Sequence, residues 1–82
     1  MGSYGLVRYS EIRAALEKCA PGYVWDDSRE HYIHIWWKEK RYPLPKPHGK
    51  ISGRIEVEKG HVKKMFRFFG ILDCAKKVIE NL

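Results

Sequence analysis

The stretch "RYPLP", residues 41 to 45, constrains the fold more than any other in this chain of 82 residues. Proline has no N–H to offer a sheet ladder. Pro43 and Pro45 are two apart, so on a strand their missing donors lie along the same margin. Such a strand pairs on one side only and must be a sheet edge. Just before it runs "EHYIHIWW", residues 30 to 37, rich in the β-branched and aromatic residues that favour strands. "KEK" between them reads as a polar turn. "YVW", residues 23 to 25, reads as a further strand, joined to the long one by "DDSR", where Asp and Ser compete for backbone hydrogen bonds in a turn.

Helices flank these strands. In "SEIRAALEKCA" the residues Ile12, Ala15, Leu16 and Cys19 recur on one helical face, Ser10 suits the N-cap, and Pro21-Gly22 ends the run. "KPHGKISG" reads as a loop and "RIEV" as a short extended or connecting piece. "EKGHVKKMFRFFG" is a second helix with Val62, Met65, Phe66 and Phe69 as its apolar stripe. Gly70 suits the left-handed position after the helix, with Ile71 as the hydrophobic residue beyond. Asp73 suits the cap of a last helix with Ala75, Val78, Ile79 and Leu82 on its buried face. The order is α-β-β-β-α plus one C-terminal helix. Short links favour an antiparallel meander with the helices on one face and the other face open.

A chain this short forms a single domain with one modest core, so chemistry must sit on an open face or an edge. It has no apolar run long enough to span a membrane and no signal-peptide core in "MGSYGLVRYSE", which points to a soluble cytoplasmic protein. Cys19 and Cys74 are isolated and fall on apolar helix faces, where each reads as a small buried hydrophobe. A disulfide between them is the alternative, with no framework pattern behind it. There is no tight Cys/His cluster, so no metal site is expected. The formal net charge of +6 biases the surface towards polyanions, RNA among them, without saying anything about fold.

Several stretches together resemble a known family: the "PGYVW" turn after a helix, "REHYIHIW", "YPLPKPHGK", and the helix "EKGHVKKMFRFFGI". Over residues 9 to 71 this order and spacing is similar to the HicA toxins of type II toxin–antitoxin systems, with residues 72 to 82 as an extension. The resemblance implies a double-stranded-RNA-binding-like α+β fold. It also implies metal-independent, cofactor-free cleavage of messenger RNA and inhibition by a HicB-like antitoxin protein. The family carries Gly-Ser-His at the head of its second strand. Here the triplet is Arg29-Glu30-His31, with the histidine kept. By the resemblance, His31 is the catalytic residue.

The residues themselves argue differently. His31 and His34 are three apart, so on a strand they face opposite ways. His34 shares a face with Tyr32 and Trp36, whereas His31 shares one with Ile33, Ile35 and Trp37, which look like core. By this reasoning His34 is the better surface group, and it stands as second choice. His31, at the strand's first turn, is placed to reach past the sheet edge. Tyr32 and Trp36 suit the stacking of unpaired bases. Arg29, Lys38, Lys46, His48 and Lys50 suit contact with phosphate. The rival functions are a non-catalytic RNA-binding module of the same fold and a protein-interaction domain.

Overall fold

The computed structural model describes residues 5–46, 56–80 and 82. A short strand β1 (Leu6–Arg8) runs directly into helix α1 (Tyr9–Cys19). Strands β2 (Val24–Asp26), β3 (Tyr32–Trp37) and β4 (Lys40–Pro45) follow, then β5 (Glu56–Glu58), α2 (Lys59–Phe69) and α3 (Leu72–Val78). The expected antiparallel meander is present, in the order β2-β3-β4, with β4 at one edge. The sequence pattern missed a second sheet, formed by β1 and β5 with Val7 opposite Val57. Three-residue strands are too short to show a period, and the two halves of this pair are far apart in the chain.

The register of β3 and β4 follows from its turn. Lys38 and Glu39 form a two-residue link, both with positive φ (50° and 66°). That is the primed-turn geometry whose twist suits a hairpin. Counting back from the pair Trp37–Lys40 places Pro43 opposite His34 and Pro45 opposite Tyr32. These are the positions where a residue's N–H faces away from its partner strand, so the ladder loses nothing to either proline.

One core binds the layers. Ile33 and Ile35 of β3 and Leu44 of β4 are buried with Ile12, Ala15 and Leu16 of α1. Val62, Met65, Phe66 and Phe69 of α2 are all buried, as the stripe predicts. α2 ends as predicted too: Gly70, at φ 76°, donates to the Arg67 carbonyl and Ile71 to the Phe66 carbonyl, the paired bonds of a left-handed helix stop. The other two helix starts differ from expectation. Ser10 lies inside α1, and the Arg8 N–H donates to the Glu11 carboxylate (3.0 Å) instead, because β1 delivers the chain straight into the helix. Asp73 lies in the first turn of α3 without capping it. α3 is shorter than expected, yet Ala75 and Ile79 still enter the core, and Val78 and Leu82 pack against it.

The cysteines take the less favoured of their two readings. Cys19 and Cys74 form a disulfide, with Cα atoms 5.9 Å apart, tying the end of α1 to α3. Each was expected to be a small buried hydrophobe. Both expectations rested on helical faces that do meet, and no pattern within either helix shows that the two sulfurs meet as well.

Candidate functional site

No polar or charged side chain is buried among the described residues, so chemistry is confined to the surface. The three-stranded sheet turns Ile33, Ile35, Leu44 and Trp25 towards the helices. Its other face carries three cross-strand rows. Trp36 lies between Val24 and Arg41, His34 between Asp26 and Pro43, and Tyr32 beside Pro45. Val24, Trp36 and Tyr32 keep about half of their surface in water (54%, 45% and 46%). The Arg41 guanidinium lies 5.7 Å from the centre of the Trp36 ring.

At the head of β3 the chain bends through residues 27 to 31. Two devices hold this bend. Ser28 donates to the Asp26 carboxylate from its N–H (3.1 Å) and its hydroxyl (2.6 Å), which holds the Asp26 carboxyl below the usual carboxylate range. Lys46 crosses from the end of β4 and donates its ammonium to the carbonyls of Asp27 (2.6 Å) and Arg29 (2.5 Å). The strand therefore starts at Tyr32 and not at Glu30 as expected. His31 keeps the register of the buried side but stands beyond the last strand pair, and its side chain is 72% exposed. Its Nε2 lies 3.9 Å from the Glu30 carboxylate. Both histidine readings thus keep a surface group: His31 in the open bend, His34 half-buried in the middle row.

The remaining candidates divide. Tyr32, His34 and Trp36 share the open face, as expected. Arg29 is exposed in the bend beside His31. Lys38 belongs to the turn and lies over Trp37, 4.6 Å from its ring centre, on the side away from Trp36. Lys46 has its charge occupied by two carbonyls. His48 and Lys50 lie outside the described residues. Sequence reasoning missed Arg41, Val24 and Asp26 as members of the open face. A two-residue turn, had it been recognised, would have placed Arg41 opposite Trp36.

A second aromatic group lies on the helix side of β2. Tyr9 packs edge-on against Trp25 (5.3 Å), Arg13 lies over the same ring (5.0 Å), and its Nε donates to the Tyr23 hydroxyl (3.4 Å). Burial, aided by Asp27, pushes the Tyr9 hydroxyl up to about 12. This is a packing cluster. Among the described residues no three His, Cys, Asp or Glu side chains gather as a metal site would need. No family model, no curated protein and no solved structure matches the chain.

Proposed function

We propose that this chain is a HicA-like endoribonuclease of the cytoplasm, with a double-stranded-RNA-binding-like fold, that cuts messenger RNA without a metal and is restrained by a HicB-like antitoxin. The observation that carries the reading is the exposed His31 imidazole at the head of β3, where the resemblance expects the catalytic histidine. An imidazole titrates near neutrality and can take a proton from a ribose 2′-hydroxyl. The 2′-oxygen then attacks the adjacent phosphorus, the P–O5′ bond breaks, and the 5′-oxygen leaves with a proton returned by the imidazolium. The products are a 2′,3′-cyclic phosphate and a free 5′-hydroxyl. Arg29, exposed two residues away, supplies positive charge for the phosphate.

The test is cleavage of a labelled single-stranded RNA in the presence of a chelator, by the wild type and by His31→Ala and His34→Ala. Loss of a general base costs about 10²–10⁴-fold. A drop of that size in His31→Ala alone, with RNA binding retained, supports the assignment. A folded His31→Ala protein that cuts at the wild-type rate sinks it, and a dead His34→Ala protein moves the site to the middle row.

A second reading, a non-catalytic RNA-binding module, is favoured by one contact. The Glu30 carboxylate beside His31 puts a negative charge where a phosphate would have to approach. Purified wild type that binds RNA but never cuts it decides for this reading.

A further inference from the structure

We propose that the open face of the three-stranded sheet is a stacking subsite for unpaired RNA bases, with Trp36 and Tyr32 as platforms and Arg41 as the phosphate contact. The inference rests on the ribonuclease reading for the position of the cut, and on the face itself for the subsite. The other side of the sheet already has a complete core. Even so, the fold leaves two large aromatic rings of β3 half in water on this side.

The arrangement matches a single strand of nucleic acid. Trp36 and Tyr32 are four residues apart on one strand, roughly 13 Å at ~3.3 Å per residue. Between them lies the His34 row, bounded by Pro43. A single strand presents the same alternation, flat π-faces separated by anionic linkers. The one acid on the face, Asp26, keeps its negative charge, with its Oδ1 bonded by Ser28, and lies at the end of the middle row away from Pro43. Arg41, whose guanidinium lies 5.7 Å from the centre of the Trp36 ring, supplies the positive charge of the face, on a chain with formal net charge +6. A second copy of this chain fits less well, because it carries the same net charge of +6 and is repelled where a polyanion is attracted. A duplex fits less well too, since its bases expose edges and not faces.

The subsite also has a direction. Tyr32 is the residue next to His31, so a strand lying along β3 runs from the cut towards the hairpin tip. Substrate that extends past the cut on that side gains binding, and substrate that stops at the cut does not.

The experiment compares a single-stranded oligoribonucleotide long enough to cross the face with a dinucleotide spanning only the scissile bond. The substrates are given to the wild type, Trp36→Ala and Trp36→Phe. The wild type should prefer the long strand. Trp36→Ala should reduce that preference about tenfold, the loss expected of one stacked base, and Trp36→Phe should restore most of it. An unchanged preference in Trp36→Ala overturns the subsite, as does duplex RNA binding as tightly as single-stranded RNA. A wild-type dimer in sedimentation that Trp36→Ala dissolves also overturns it, in favour of a second copy. If the wild type cuts neither substrate, the ribonuclease reading has failed, and the subsite is judged on binding alone. Single-stranded RNA should then quench tryptophan fluorescence in the wild type, and its affinity should fall about tenfold in Trp36→Ala. No such loss overturns it.

Discussion

The backbone N–H of Lys46 donates to the His31 carbonyl at 2.9 Å, extending the β3–β4 ladder one pair beyond the strands themselves. The same residue's ammonium holds two further carbonyls of the bend. One lysine thus holds both the bend that leads to the proposed catalytic histidine and that histidine's own carbonyl. Lys46→Met should lower stability by about 1–3 kcal/mol, because hydrogen bonds to a charged donor are lost. It should also speed hydrogen exchange in residues 27 to 31 and lower kcat more than it raises KM. Unchanged exchange in the bend would show that Lys46 does not organise it.

Glu30 gives a prediction of opposite sign. Its carboxylate stands 3.9 Å from His31 Nε2, and both side chains are exposed. Glu30→Gln removes the negative charge and keeps the shape. RNA affinity should rise modestly at low salt, and the gain should shrink as salt screens it. An affinity that does not respond to this substitution places the phosphate elsewhere.

The disulfide can be tested without RNA. Cys19 and Cys74 are 55 residues apart, and closing a loop of that length stabilises a fold by about 4 kcal/mol in the chain-entropy model. Reduction, or Cys74→Ser with Cys19→Ser, should lower the urea midpoint by a corresponding amount. A cytoplasm keeps most thiols reduced, so the reduced form is the one to assay for the proposed cytoplasmic activity. Equal midpoints with and without reductant would show that α3 holds by packing alone.

Tyr9 gives a pH signature. Its hydroxyl titrates at about 12 in the fold, against an ordinary value of about 10 when unfolded. A raised pKa means the folded state keeps its proton longer. The stability from this group is therefore full below about pH 10 and is lost as pH rises towards 12. Ultraviolet titration should show a late-ionising tyrosine that disappears in Tyr9→Phe. A titration without that late component would contradict the burial of this hydroxyl.

The long-range outcome was legible wherever one residue type carried a single strong constraint. Pro43 and Pro45 identified an edge strand, Gly70 a helix stop, and Val62 to Phe69 a buried stripe. What failed depended on partners distant in sequence. Leu6–Arg8 becomes a strand only because Glu56–Glu58 lies alongside it. Cys19 meets Cys74 only because α3 packs on α1. For the site, the period-two rule placed Tyr32, His34 and Trp36 together correctly. It misjudged His31 because a face has meaning only inside a strand, and the strand begins one residue later. Lys46 was misread for a similar reason: composition shows its charge, and only geometry shows that two carbonyls have already claimed it.

The prolines of β4 bear on self-assembly. A sheet with two free edges can add strands at both and grow without limit. Among the described residues the outer margin of β4 offers no donor at Pro43 or Pro45, so β2 is the edge of this sheet better suited to a visiting strand. If two copies joined there, the combined sheet would present only blocked margins at its ends. Association of folded copies through this sheet is therefore favoured at one edge and stops at a pair.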